Sequence, residues 1–286
     1  MTDGPRVLYG NYHQHTHHCD GNGVPRDYAE AALAKGMPRI GFTGHNVVPF
    51  KTEWTMPAER LPGYLAEVRA AKEEYRGRLE IFLGIEADYI PGMTSPVHQR
   101  IQSLGLDFVL GSVHFVGPRD GDHDWTVDGP RQEIEAMIRD GFGGSARRAV
   151  ERYYELVAQM ARTAPPDIFA HLDIVKKNNR DGGLFDEQAA WYREAVRGAL
   201  EAVRDSGKVM EINTGGVVRN TSGAYYPSPW ILAEARAHGI PVMINADAHQ
   251  PQNIDGKFAE AAELLKAAGY RTQRQLTTTG WIDIPL

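Results

Sequence analysis

Histidine and acidic residues recur along this chain beside stretches rich in Val, Ile, Leu and Phe. His13 and His15 stand one residue apart, and in a strand such a pair points to one face, so both imidazoles can reach the same ion. Similar residues follow in later apolar stretches, namely His45, Glu86, His114, His171, Asp173, Asn213, Asp247 and His249. Imidazoles and carboxylates with a single cysteine, Cys19, suit zinc, iron or manganese. The residue set therefore predicts a metal-dependent hydrolase.

A lone histidine such as His98 or His238 is more simply interpreted as a surface residue. The set is different, because six of the eleven histidines lie in or at the end of apolar stretches together with acids. Burying so many polar groups without a partner would be costly. Bound metal ions would be that partner.

Other kinds of chemistry lack their sequence signals. No Gly-x-Ser-x-Gly turn presents a serine nucleophile. A cysteine nucleophile would need a base and an orienting group, and the histidine pair that precedes Cys19 does not require a cysteine. No Gly-x-Gly-x-x-Gly loop follows the first strand, and Gly21-Asn22-Gly23 is better interpreted as a turn. A covalent hydrolase and a nucleotide-cofactor enzyme are both disfavoured.

Strand and helix patterns alternate over the whole chain. The predicted strands cover residues 7–15, 39–45, 79–89, 108–116, 168–175, 209–214 and 241–249. Helices are predicted over residues 25–35, 186–206 and 230–238, with a last one ending before Gly269. About seven such units without a flexible linker predict an α/β protein, a single domain over residues 1–286 that forms a closed or nearly closed barrel. An open doubly wound sheet is the alternative.

Catalytic side chains of barrels lie at the carboxyl ends of the strands, which is where the histidines and acids fall. The longest irregular segment, residues 116–130, is a candidate lid.

Bulk composition excludes several partners. The net charge of −6, with no basic run, argues against a nucleic-acid partner. One cysteine excludes an intramolecular disulfide, no apolar run reaches membrane-spanning length, and the amino terminus lacks a signal peptide. These features favour the cytoplasm; they leave the oligomeric state open.

Six ordered segments resemble the polymerase and histidinol phosphatase superfamily, the PHP domain. They are His13-Gln14-His15-Thr16, Phe42-Thr43-Gly44-His45, Gly84-Ile85-Glu86-Ala87-Asp88-Tyr89, Gly111-Ser112-Val113-His114, His171-Leu172-Asp173 and Asp247-Ala248-His249. Several of these segments, together with Asn213-Thr214-Gly215, further resemble the stand-alone histidinol-phosphate phosphatases of histidine biosynthesis. The resemblance implies a distorted seven-stranded β/α barrel of the TIM-like kind.

The resemblance also implies three divalent metal ions. The first ion would be held by His13, His15, Glu86 and Asp247. Glu86 would bridge to a second ion that His114 and His171 also hold, and the third would take His45 and His249. Asp20 fits best as the remaining ligand of the third ion, with His17 and His18 as alternatives.

The implied reaction is hydrolysis of L-histidinol phosphate by in-line attack of a metal-bridging hydroxide, held by Glu86, His13, His15 and Asp247. Lys176, Lys177 and Arg219 follow predicted strand ends and are candidates to bind the phosphate, or else solvated loop charges. His123 in the 116–130 segment is a candidate proton donor or substrate contact, although a surface position is the simpler interpretation.

Two other functions fit less well. The same cluster would serve another small phosphate ester, a phosphodiester or a nucleotide. A non-catalytic metal-binding module is disfavoured because the sequence keeps apparent ligands for every ion.

Overall fold

Parallel strands form the centre of the fold in the computed structural model, which describes residues 9–117 and 125–286. Seven short strands pair in parallel, β1 with β2 and then β3 through β7 in chain order. They are β1 (Arg39–Phe42), β2 (Glu80–Leu83), β3 (Glu86–Asp88), β4 (Leu110–Ser112), β5 (Ile168–Phe169), β6 (Val209–Asn213) and β7 (Val242–Asn245). The predicted α/β architecture with a parallel sheet is confirmed.

Isolated parallel bridges connect these two sheets. Asn11 pairs with Ile40 of β1, and His45 pairs with Glu86 of β3. A third bridge joins Gln14 to Ala248, beyond the end of β7. The segment around residues 11–14 therefore lies between the first and last strands, although the predicted strand 7–15 makes only these bridges; residues 7 and 8 lie outside the described residues.

The strands are shorter than predicted. The predicted strand 79–89 divides into β2 and β3, and a Cβ at Gly84 between them would lie 2.7 Å from the Phe108 ring, which shows how closely the backbone approaches its neighbour. The predicted strand 168–175 pairs only over Ile168–Phe169 and then turns into a 3-10 helix, Ile174–Lys176. The side chains that follow the short strands therefore stand on turns rather than in the sheet.

Helices cover the sheet. They are α1 (Pro25–Ala34), α2 (Leu61–Glu74), α3 (Gln99–Gln102), α4 (Arg131–Ala136), α5 (Ala146–Thr163), α6 (Ala190–Ser206), α7 (Gly215–Val218), α8 (Pro229–Ala237) and α9 (Phe258–Ala267). Shorter turns are the 3-10 segments Ala58–Arg60 and Pro251–Asn253 and a π-helical turn over Met137–Gly141. As predicted, α1 begins at a proline, and Gly36 beyond its end takes a φ of 70° that suits glycine. Among the described residues, no helix combines the length and apolar content that crossing a bilayer requires.

A carboxyl-terminal hairpin was not predicted. β8 (Thr272–Thr277) and β9 (Gly280–Pro285) pair antiparallel. The Tyr12 hydroxyl donates to the Leu276 carbonyl, and Leu276 packs in one apolar cluster with Val209 and Ile168, the first residues of β6 and β5. The hairpin thus packs at the amino ends of the strands and leaves the carboxyl ends open.

Candidate metal centre

The histidines and acids at the carboxyl ends of the strands meet at one cavity of about 560 Å³. They come from β3 and from several turns that follow other strands, and those that line the cavity include Asp20, His45, Glu86, His114, His171, Asp247 and His249. His13 and His15 lie beside them with no exposed surface. The structure therefore brings together all nine side chains proposed as ligands from the sequence.

Glu86, the first residue of β3, occupies the middle of this group. Its Oε2 lies 3.2 Å from His13 Nε2 and 3.1 Å from His45 Nδ1. Its Oε1 lies 3.1 Å from His171 Nε2 and 3.6 Å from His114 Nε2. One carboxylate thus faces imidazoles on both sides, the arrangement that a bridging ligand needs.

Asp20 lies on the opposite side of the cluster from His171. Its Oδ2 is 3.0 Å from His249 Nε2, while its Oδ1 is 3.5 Å from His15 Nδ1 and 3.8 Å from His45 Nε2. These four side chains offer ligand atoms that all lie within 4.8 Å of one another. Asp20 thereby forms, with three imidazoles, a set of ligand atoms suited to a cation.

Asp247 contacts both histidines of the His13-Gln14-His15 segment and a partly buried arginine. Its Oδ1 lies 3.2 Å from His15 Nε2 and 3.6 Å from His13 Nε2, and its Oδ2 accepts from Arg219 at 2.9 Å. The backbone of Asp247 has a φ of 50°, in the left-handed region that non-glycine residues seldom adopt. Such strain is tolerated where the surroundings fix it, and functional sites are common places for it.

Two buried acids orient cluster histidines by contacting the Nδ1 atom of each ring. The sequence analysis did not identify either acid as functional. Glu211 Oε2 lies 3.0 Å from His13 Nδ1, and Asp88 Oδ1 lies 2.8 Å from His114 Nδ1. A carboxylate on one ring nitrogen fixes the tautomer and leaves the other nitrogen for a metal. The available signal was alternation, because Glu211 shares a strand face with Asn213, and Asp88 with Glu86.

The electrostatics of the cluster favour the ionised forms of Glu86 and Asp247. Burial opposes the charged form of Glu86, but His45 and His13 outweigh it and hold the pKa of Glu86 well below its ordinary value. Burial likewise opposes charge on Asp247, and Arg219 and His13 lower its pKa overall. Burial lowers the pKa of His45 to about 3, so this imidazole is neutral and free to bind a cation.

Several buried polar atoms of the cluster have no hydrogen-bond partner in the described part of the chain. They include His15 Nε2, His45 Nδ1 and Asp20 Oδ1. Unpartnered buried polar atoms are rare, because each costs free energy. Imidazole nitrogens and carboxylate oxygens converging in this way fit divalent transition-metal ions.

Some sequence candidates lie elsewhere. His17 and His18 turn away from the cavity toward Glu67, so they are not placed to replace Asp20. Asp173 also leaves the cluster, because its Oδ2 pairs with Lys176 Nζ at 2.8 Å.

Lys176 is buried outside the cavity lining, where its ammonium also donates to Ser228 and to the Tyr225 carbonyl. An ammonium with these partners is not available to a phosphate in the cavity. The candidate role of Lys176 as a phosphate ligand is therefore corrected to a structural one.

The other two basic candidates do line the cavity. Lys177 Nζ lies 3.2 Å from Asp128 Oδ2, and Arg219 contacts Asp247 and His249. His123 and the rest of residues 118–124 of the candidate lid lie outside the described residues, whereas Thr126, Asp128 and Pro130 line the cavity wall.

The chain belongs to the PHP domain family, whose model matches residues 11–215. It is 36% identical over 91% of its length to the probable histidinol-phosphatase of Deinococcus radiodurans, 94% of which is covered. It is 30% identical over 85% of its length to the histidinol-phosphatase of Bacillus subtilis, again with 94% covered. The resemblance inferred from the sequence is thus confirmed.

The fold is also similar to that of a solved relative. The histidinol phosphate phosphatase of Lactococcus lactis, determined in complex with zinc, L-histidinol and phosphate, superposes with a TM-score of 0.69. The match covers 96% of this chain and 98% of that one at 22% identity.

Proposed function

We propose that this protein is a metal-dependent phosphomonoesterase that hydrolyses L-histidinol phosphate to L-histidinol and phosphate, a step of histidine biosynthesis. One observation carries the proposal: a chain 36% identical to a probable histidinol-phosphatase buries a converging set of imidazoles and carboxylates under an open cavity. A decayed, non-catalytic module would not be expected to keep that set.

The proposed ligands fall into three groups around Glu86. His13, His15, Glu86 and Asp247 would hold one ion, and Glu86, His114 and His171 a second. Asp20, His45 and His249 would hold a third. Their nitrogen and oxygen atoms suit zinc, iron or manganese.

Divalent ions held by these residues would supply positive charge for the substrate phosphate and would lower the pKa of bound water to about 7. The chain's own contribution is to position and orient. Glu211 and Asp88 fix the rings of His13 and His114, while burial keeps His45 neutral. Because these groups are held before substrate arrives, little reorganisation is needed during the reaction.

Substrate binding is proposed at the cavity wall. Lys177 and Arg219 line the cavity and would bind phosphate oxygens, as an ammonium and a planar fork of donors respectively. Glu53 and Glu133 also line the cavity and suit the ammonium group of an amino alcohol. A volume of about 560 Å³ is in the range of small-molecule sites.

We further propose that residues 1–286 form a single domain built as a distorted seven-stranded barrel. The parallel bridges at Asn11, Gln14 and His45 support this, because they join the ends of the two parallel sheets. Closure would place the carboxyl ends of the strands around one rim.

Phosphate release from L-histidinol phosphate tests the function, compared with sugar phosphates, polyol phosphates and nucleotide 3′,5′-bisphosphates, with and without a chelator. We expect chelator-sensitive activity with a clear preference for L-histidinol phosphate. Equal slow rates on all substrates would overturn the substrate, and a lack of chelator-sensitive release from any of them would overturn the phosphatase itself.

A further inference from the structure

We propose a further divalent-cation site, outside the cavity, formed by His17, His18 and Glu67. These residues lie where the turn that follows the His13-Gln14-His15 segment meets α2. The site goes beyond the proposed function and does not depend on it.

The three side chains converge on one point. His18 Nε2 lies 3.2 Å from Glu67 Oε2, and His17 Nε2 lies 3.7 Å from Glu67 Oε1. The ligand atoms of the group all lie within 4.8 Å of one another. Ligand atoms on one tetrahedral zinc ion are about 3.3 Å apart, because each stands about 2.0–2.1 Å from the metal.

His18 supplies an independent sign of a missing partner. Its side chain is only 8% exposed, and its Nε2 has no hydrogen-bond partner in the described chain. Glu67 Oε2 is likewise buried and unpartnered, although these two atoms are close. At 3.2 Å the two atoms form an ion pair when His18 is protonated, and a cation between them can take the place of that proton.

The backbone of α2 leaves room for this arrangement. A Cβ at Gly63 would lie 2.9 Å from His18 Cε1, so glycine allows the imidazole to pack against the helix. The Tyr64 ring also packs against His18 in a T-shaped contact, with 6.0 Å between the ring centroids. His18 is thus held in place, while His17 and Glu67 are both 42% exposed and open to an ion from solvent.

The nearby charges favour moderate affinity. Glu67 brings one negative charge, and Arg60, which donates to the His17 carbonyl at 3.1 Å, brings an opposing positive one. Two histidines and a glutamate also form known catalytic zinc sites, with the fourth position open to water. Zinc is therefore the expected ion, bound more weakly than in the buried cluster.

An ion here would tie the turn that carries Asp20 to α2. This turn is held by hydrogen bonds from the Cys19 and Gly21 backbone to the Thr16 carbonyl. Zinc binding is accordingly expected to slow amide hydrogen exchange in residues 16–21.

Zinc titration of the protein that retains its tightly held ions tests the site by equilibrium dialysis with metal analysis. The wild type should take up one further zinc ion per chain. His17→Ala and Glu67→Gln, which alter exposed side chains, should each weaken this uptake at least about tenfold. Glu73→Gln, on the same helix, and His238→Ala serve as controls and should bind as the wild type does.

The proposal is overturned if the wild type takes up no further ion, or if both site variants bind it as tightly as the controls. Hydrogen exchange in residues 16–21 provides a second measurement. Slower exchange with zinc in the wild type but not in Glu67→Gln supports the tie to α2, and equal exchange in both overturns it.

Discussion

At the scale of single residues, Glu211 controls ligand orientation without facing the cavity. Its carboxylate lies 3.0 Å from His13 Nδ1 and accepts from the His171 backbone N–H at 2.8 Å. It also accepts from the side-chain amides of Asn213 and Asn245. Each of these partners presents a nitrogen to the Glu211 carboxylate, so both carboxylate oxygens must act as hydrogen-bond acceptors.

Glu211→Gln is expected to lower metal affinity and kcat/KM about 10–100-fold, because the new amide places a donor against these donors and releases His13. Chelator competition and phosphate-release kinetics measure the two effects. Glu263→Gln, on the exposed face of α9, is the matched control. Unchanged metal affinity in a folded Glu211→Gln protein would contradict the orienting role.

The adjacent lysines Lys176 and Lys177 have different roles, one structural and one proposed in substrate binding, and substituting each in turn distinguishes them. Lys176→Met leaves Asp173 as an unpaired buried charge and is expected to cost about 3–5 kcal/mol of unfolding free energy. Lys177→Met removes a cation from the cavity and is expected to raise KM with a much smaller effect on stability. Denaturant unfolding and steady-state kinetics measure the two quantities. A raised KM confined to Lys176→Met would reverse the assignment.

At the scale of elements, the turn after His15 positions Asp20 through Gly21. A Cβ at Gly21 would lie 2.4 Å from the His15 carbonyl carbon and 2.6 Å from the Thr16 nitrogen. Both neighbours are backbone atoms, so the turn itself must move if a side chain is added.

Gly21→Ala is therefore expected to destabilise the protein by about 1–3 kcal/mol and to weaken binding of the ion that Asp20 is proposed to hold. Thermal unfolding and metal content per chain are the measurements. Gly198→Ala is the control, because nothing lies near its Cβ inside α6; alanine there is expected to stabilise by about 0.5–1 kcal/mol. Full metal content in Gly21→Ala would show that the turn tolerates the change.

The sequence predicted the alternation of elements better than their lengths. α1 and α8 begin at prolines and end near glycines, and both follow the predicted ranges within a residue or two. The helix expected over residues 186–206 begins only at Ala190. Apolar runs such as 79–89 predict strands that are too long. Apolar residues remain buried beyond the point where backbone pairing stops, and sequence periodicity does not distinguish paired from unpaired buried residues.

The hairpin of β8 and β9 was missed because its sequence, with Arg274 and Gln275 between threonines, has no apolar alternation. It owes its place to contacts made far along the chain, such as Tyr12 with Leu276. Most of the cluster was predictable because its six histidines and Asp247 fall in or at the end of predicted strands, whereas Asp20 was assigned from the family resemblance. The roles of Glu211 and Lys176 depend on partners distant in sequence.

At the scale of the whole molecule, the centre joins turns that are far apart in the chain. His13, Glu86, His171 and Asp247 lie within hydrogen-bonding or ion-pair distances although they span most of the sequence. The native fold alone assembles them, so ions that bind the folded state stabilise it relative to the unfolded chain.

Removing the metal is therefore expected to lower Tm as well as to abolish activity. An ion present at about 100 times its Kd contributes about 2.7 kcal/mol, which corresponds to a fall in Tm of roughly 5–10 °C on chelation. Adding zinc or manganese back should restore both quantities. Because imidazoles must lose their protons to bind metal, the stabilisation should also diminish as the pH is lowered. A Tm unaffected by chelator at neutral pH would mean that the cluster holds no ion tightly, and the proposed centre would fail with it.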